Sequence, residues 1–291
     1  MFLSEGAGRD ALIRLVGIDV DGTLLGSSGE VDPRVWQVAS RARAVGIRLA
    51  LCSGRPAFGS TAQYVQRLDA DGWHIFQNGA SIVNAATGCT RSAHLPPRQV
   101  KDMITRARGS HHHLELYSDE DYVTESLSDW ARKHAEILGV PFEPRPFEAL
   151  KGAVVRAQWL FSKADAEAFM KNAPKDLEVA QSTSPLMPDT QFISLTGQGV
   201  SKGGALRTLA AEYGVDLRDV MYVGDSGNDL SALQIVGHPI AMANAEPAIL
   251  AAVKRSVGHV DEGGLVEALE LALACARSST HARDASVIGS G

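Results

Sequence analysis

Two carboxylates stand two residues apart in Asp19-Val20-Asp21-Gly22-Thr23, directly after the apolar run 13–18. A buried strand running into a tight turn would release both side chains at one strand end. Close carboxylates repel each other, and a cation that prefers oxygen ligands, Mg²⁺ above all, offsets them. One of the pair could then attack phosphorus to form an aspartyl-phosphate, while the other serves as general acid and base. The same spacing also occurs in calcium loops and in plain polar turns. The pair alone leaves both readings open.

Three further polar groups stand beside strand-like runs. Ser53-Gly54-Arg55-Pro56 follows the run 47–52, Lys202 lies within Gly199-Val200-Ser201-Lys202-Gly203-Gly204, and Gly224-Asp225-Ser226-Gly227-Asn228-Asp229 follows the run 220–223. Taken singly, these are a loop, a solvated lysine and a turn capped by Asp and Asn. Together they offer a nucleophile, a hydroxyl and N–H donors for phosphate oxygens, a fixed cation, and carboxylates for a metal. Phosphoryl transfer needs those parts, because its barrier falls mainly through positioning and charge compensation.

The elements that must hold these residues follow from periodicity. Asp32 reads as an N-cap and Pro33 as the first residue of a helix with Val35, Trp36, Val38, Ala39, Ala42 and Val45 on its apolar face. A strand over 47–52, a helix carrying Phe58, Ala62, Val65 and Leu68, and a strand over 73–76 continue the alternation. That order predicts an open parallel sheet with helices on its faces and chemistry past the strands' carboxyl ends. From 95 to 188 the pattern changes to a helix opened by Pro96-Pro97, a hairpin over 114–124, helices over 126–138 and 165–171, and strands over 154–161 and 177–183. This is an inserted α+β segment, with 184–188 as its return linker. Strands over 192–195, 220–223 and 239–242 then resume the first rhythm, and the last helix ends near Ala276. The expected fold is α/β, a Rossmann-like parallel sheet core over 12–94 and 189–276 with an α+β cap over 95–188 and a disordered tail over 277–291.

Composition narrows the class. A chain of 291 residues, 45% of them hydrophobic, can bury a real core in two domains, and no apolar stretch is long enough to span a membrane. The formal charge of −6, without a basic block, argues against nucleic acid as a partner. Residues 1–10 lack the pattern of a secretory signal, and Cys52, Cys89 and Cys275 are too widely spaced for a zinc site or a disulfide frame. The expectation is a cytoplasmic protein with a small-molecule partner and neither a nucleic-acid nor a membrane partner; the oligomeric state stays open.

In combination the motifs resemble the haloacid dehalogenase superfamily of phosphatases, and more narrowly its Cof-type branch, in which a large cap of the C2B kind follows the third core strand. The resemblance runs from about Ile13 to Leu273 and includes Asn78-Gly79-Ala80 and Ala241-Met242-Ala243-Asn244-Ala245 as habits of that branch. Ser53 stands where threonine is commoner and keeps the hydroxyl. The resemblance implies a Mg²⁺-dependent hydrolase of a small phosphorylated metabolite, such as a sugar phosphate. Asp19 would be nucleophile and metal ligand. Asp21 would be the general acid and base, with its backbone carbonyl on the metal, and Asp225 a further ligand. Val20, Ser53, Gly54, Lys202 and Asn228 would bind phosphate, Lys202 also neutralising Asp19, while Thr23, Arg55 and Asp229 would support the site.

Rival readings are a phosphohexomutase of the phosphomannomutase kind, a phosphonate hydrolase, and a non-catalytic sensor of phosphorylated metabolites. The short Gly224–Asp229 motif argues against the first, the lack of a distinctive cap lysine motif against the second, and the retained Asp19 and Asp21 against the third. The run His111-His112-His113 invites a metal, but adjacent strand residues face opposite sides and cannot converge on one ion. Tyr117 and Trp159 could stack on a sugar or simply fill a core.

Overall fold

A computed structural model of the protein describes residues 12–110, 112–184 and 186–288. Its strands are β1 (Leu15–Ile18), β2 (Arg48–Leu51), β3 (Trp73–Phe76), β4 (Ser81–Asn84), β5 (His113–Tyr117), β6 (Tyr122–Thr124), β7 (Arg156–Phe161), β8 (Leu177–Ser184), β9 (Met187–Gly197), β10 (Val220–Gly224), β11 (His238–Met242) and β12 (Ser256–Val257). Its helices are α1 (Pro33–Ala44), α2 (Ser60–Asp69), α3 (Pro97–Arg108), α4 (Asp129–Leu138), α5 (Lys163–Met170), α6 (Lys202–Glu212), α7 (Leu230–Leu233), α8 (Pro247–Ala252) and α9 (Gly264–Ile288). The described residues form two compact units: 12–51 with 67–72 and 207–288, and 52–66 with 73–206. No helix among the described residues is long and apolar enough to cross a membrane.

The first unit is built on a parallel sheet in the order β12-β11-β10-β1-β2. Every residue of β1 and β10 is buried, the continuous apolar run that a sheet covered on both faces demands. Asp32 caps α1 by accepting from the Arg34 backbone N–H, with Pro33 behind it as expected, an arrangement worth about 1 kcal/mol. Val35, Val38, Ala39 and Ala42 form the buried stripe of α1, and Leu265, Ala268, Leu269, Ala272 and Leu273 that of α9. β1 and β10 pair in register from Leu15–Val220 to Ile18–Val223, and the Asp19 N–H bonds the Val223 carbonyl at 3.0 Å. The residues that follow both strands therefore emerge side by side.

The second unit holds a β3–β4 ribbon and an antiparallel sheet in the order β6-β5-β7-β9-β8. Leu114, Leu116, Trp159, Phe161, Ile193 and Leu195 fill one face of that sheet with Met103 of α3 and Phe169 of α5. The other face carries Tyr117, Tyr122, Leu160 and Phe192, packed with Trp130, Ala135, Ile137 and Leu138 of α4.

Three expectations are corrected. The strand over 73–76 does not join the parallel sheet; it turns back on β4 as an antiparallel ribbon, linked to Cys52 by one isolated parallel bridge at Ile75. Asn78-Gly79 between two apolar runs is a hairpin signal that accounts for this. The strand over 192–195 belongs to β9, paired with β7 and β8; of the linker expected over 184–188, Ser184 and Met187 pair between β8 and β9, and residue 185 lies outside the described residues. The last helix passes Ala276 and reaches Ile288, since no glycine or proline interrupts 265–288.

Candidate active site

In the first unit the turn after β1 wraps around its own backbone. The Val20 carbonyl accepts from the N–H groups of Thr23, Leu24 and Leu25 at 3.3, 2.9 and 2.8 Å. Gly22 has φ +87°, and a Cβ there would lie 2.2 Å from an Asp225 carboxylate oxygen. Thr23 is buried and donates its hydroxyl to Asp225 Oδ1 at 3.2 Å. Asn244 donates to the Gly22 carbonyl at 2.7 Å and accepts from the Val260 N–H at 2.9 Å. The sequence gives the Asn244 motif no role; in the fold its side chain staples the turn after β1 to the segment at Val260.

The turn after β10 is organised by Asp229, which is fully buried. Its Oδ1 accepts from the Tyr222 hydroxyl at 2.7 Å, and its Oδ2 accepts from the backbone N–H groups of Asp225 and Ser226, both at 3.0 Å. Asn228 is exposed on the same turn, its Oδ1 accepting from the Ser226 hydroxyl at 3.0 Å.

Asp19, Asp225 and Asp229 thereby each bring one carboxylate oxygen within 4.8 Å of the others, and Asp19 and Asp229 are buried. Three anions so close raise each other's energy, and a divalent cation is the direct remedy. An all-oxygen set suits a hard cation such as Mg²⁺. The carboxylate of Asp21 is exposed and is not one of the three. A side chain open to solvent at the turn suits proton transfer, and the metal contact expected of Asp21 concerns its backbone carbonyl.

In the second unit Ser53 is buried, its hydroxyl accepting from the Arg55 N–H at 3.0 Å. The Ser53 N–H bonds the Ile75 carbonyl at 2.8 Å, and the Ser53 carbonyl accepts from the Asn78 N–H at 3.0 Å. A Cβ on Gly54 would stand 3.0 Å from Asn78 Oδ1. The Arg55 guanidinium donates to Ser60 Oγ at 3.1 Å. Lys202 opens α6 and is 1% exposed, far from the solvated lysine that base rates favour. Gly79 lies against the start of α6, since a Cβ on it would meet the Ser201 carbonyl oxygen at 2.3 Å. The turn around Asn78-Gly79 thus brackets the Ser53 loop and the residue that precedes Lys202. That turn is strained: Gln77 and Asn78 have φ +54° and +58°, about 1–2 kcal/mol per non-glycine residue. Gln77 is also buried, and its side-chain amide has no hydrogen-bond partner among the described residues.

The histidines go to separate partners. His112 lies edge-on to Phe161 on one face of β5 and 3.6 Å from Asp165, while His113 Nδ1 lies 2.7 Å from Ser126 Oγ. His111 is outside the described residues. Trp159 is buried and stacks on Phe161 at 5.5 Å, a core residue.

A parallel sheet with paired acidic turns at adjacent strand ends defines a class, and comparison with known proteins places it. The sequence pattern of the haloacid dehalogenase-like hydrolases matches residues 16–269, and the chain belongs to that family. It is 27% identical over 276 residues to the candidate phosphatase YxeH of Bacillus subtilis (strain 168), covering 90% of this chain and 100% of that protein. It is 24% identical over 258 residues to the 5-amino-6-(5-phospho-D-ribitylamino)uracil phosphatase YwtE of the same organism, covering 80% of this chain and 88% of that protein. A haloacid dehalogenase-like hydrolase from Bacteroides thetaiotaomicron superposes with a TM-score of 0.76 at 26% identity, covering 89% of this chain and 98% of that one. Within the family the protein is a phosphatase of the Cof type.

The packing of Gly22 gives a first test of the site. Gly22→Ala must displace the Asp225 carboxylate or distort the turn, because backbone and space both exclude a Cβ. The expected result is a loss of about 10²-fold or more in kcat/KM for an aryl phosphate, with a lower melting temperature. An unchanged kcat/KM would mean that Asp225 need not stand where it does.

Proposed function

We propose that the protein is a Mg²⁺-dependent phosphomonoester hydrolase that works through an aspartyl-phosphate on Asp19 and acts on a small sugar or sugar-alcohol phosphate. The observation that carries this reading is the convergence of Asp19, Asp225 and Asp229 at the ends of adjacent parallel strands. Asp19 and Asp225, with the Asp21 carbonyl, would hold the ion, which when bound withdraws charge from the phosphate and from the attacking carboxylate. Asp19 attacks phosphorus as the bond to the leaving oxygen breaks, and Asp21 gives that oxygen its proton. Asp21 then takes a proton from the water that displaces phosphate from Asp19. Val20, Ser53, Gly54, Lys202 and Asn228 bind the phosphate oxygens, with Arg55 bracing the Ser53 loop. Thr23, Asn244 and Asp229 keep the two acidic turns in shape.

The inserted α+β segment selects the substrate, since the motifs serve features common to all phosphomonoesters. The relative named for 5-amino-6-(5-phospho-D-ribitylamino)uracil handles a phosphate on a polyol carbon, which supports a substrate of that kind. Purified protein should hydrolyse an aryl phosphate and at least one sugar phosphate with Mg²⁺ present and lose at least about 95% of that activity in excess chelator. Failure on a panel of sugar, polyol and nucleoside phosphates with Mg²⁺ would end this reading.

A further inference from the structure

One face of the antiparallel sheet carries a polar row that the chemistry above does not use. Glu115, Gln158 and Ser194 are direct neighbours across β5, β7 and β9, and all three are buried. Ser194 donates to Gln158 Oε1 at 3.0 Å, and Gln158 Nε2 donates to Glu115 Oε2 at 3.4 Å. His134 Nδ1, from α4, lies 2.8 Å from the same carboxylate oxygen. Tyr117 donates its hydroxyl to it at 2.6 Å, and burial holds that hydroxyl protonated well above the usual tyrosine range. The guanidinium carbon of Arg156 sits 4.2 Å from the centre of the Tyr117 ring.

Arg156 ends this chain of contacts and differs from its other members. It is 4% exposed, yet among the described residues its guanidinium forms no ion pair and its Nε has no hydrogen-bond partner. Burial outweighs the attraction of Tyr117 and Glu115 and holds the guanidinium below the ordinary arginine range, so the cation is costly there, and an apolar side chain of similar volume would often be more stable. Fold stability therefore does not explain the residue. One direct hydrogen bond leads away from the row: Nη1 donates to the Gly54 carbonyl at 2.9 Å. Gly54 is the second residue of the loop assigned above to phosphate.

Resting on that assignment, we propose that Arg156 is a positioning residue for phosphate binding, fixing the Gly54 carbonyl and placing a positive charge that makes no direct ion pair behind the loop. The Tyr117–Glu115–His134 contacts hold the guanidinium in place from the other side. In a dry interior a charge is felt over a longer distance than in water. It favours phosphate in substrate and product alike, so its effect belongs in KM and in product inhibition more than in kcat.

The test compares Arg156→Met and Arg156→Gln, which remove the charge without and with an N–H donor left in place of the guanidinium, and Arg156→Lys, which keeps it. In both neutral variants KM for an aryl phosphate and Ki for inorganic phosphate should rise about tenfold or more, while kcat falls less than about threefold. Their melting temperature should hold or rise, and Arg156→Lys should lie nearer the wild type than either. If only one neutral variant folds, that one decides. Neutral variants with KM and Ki within about twofold of wild type, neutral variants that both fail to fold, or a lysine variant no better than methionine would each overturn the inference. A wild-type protein that neither hydrolyses the ester nor binds phosphate would instead overturn the parent reading, and this one with it.

Discussion

Asp19→Asn should lower kcat by about 10⁴-fold or more, since a hydrolase stripped of its nucleophile can lose about 10⁶-fold. The amide keeps the size of the carboxylate but has no anionic oxygen to attack phosphorus. The fold should survive, because the Asp19 backbone is held by its bond to Val223 and the substitution removes no core volume. Stability adds a second readout. Asp19 shares a small volume with Asp225 and Asp229, so removing its charge relieves repulsion wherever no cation offsets it. Without Mg²⁺ the variant should melt at or above the wild-type temperature, and the rise in melting temperature on adding Mg²⁺ should shrink. The checks are single-turnover hydrolysis and thermal denaturation across a Mg²⁺ series. Residual activity within about 10²-fold of wild type would place the nucleophile elsewhere.

Asp21→Asn should cost about 10²- to 10⁴-fold in kcat/KM on an alkyl phosphate, the usual range for losing a general acid. Its carboxylate is exposed and outside the acidic cluster, so the substitution leaves the three clustered carboxylates intact. The backbone carbonyl also survives, which separates proton transfer from metal binding. kcat/KM reports the steps up to departure of the leaving group, where an alkoxide needs a proton and an activated aryl oxide does not. The loss should therefore be about tenfold smaller on an aryl ester with an acidic leaving group. Equal losses on the two substrates would remove Asp21 from the acid role.

Much of this was legible in the chain because the signals are local. Asp32-Pro33 announces the start of α1 through a side-chain acceptor and a fixed φ, both properties of adjacent residues. Apolar runs ending at Asp19 and Asp225 mark strands and the turns beyond them, since a doubly covered strand must be apolar throughout. Motif order then suffices for the family, as each motif is a short peptide with its own chemistry.

The remaining features depend on partners far apart in the chain, and folding alone reveals them. A strand's residues do not name its neighbour, so 192–195 could be read into either sheet until β9 paired with β7 and β8. Nothing in the chain tells which carboxylate of the two acidic turns is buried; burial and the Tyr222, Asp225 and Ser226 donors drew Asp229 in beside Asp19 and Asp225 and left Asp21 exposed. Asn244 and Arg156 lie outside the acidic and phosphate motifs, and each acts through a carbonyl, of Gly22 or of Gly54, that any residue would supply. A backbone acceptor leaves no mark on the sequence, so such contacts become visible only when the two segments come together in space.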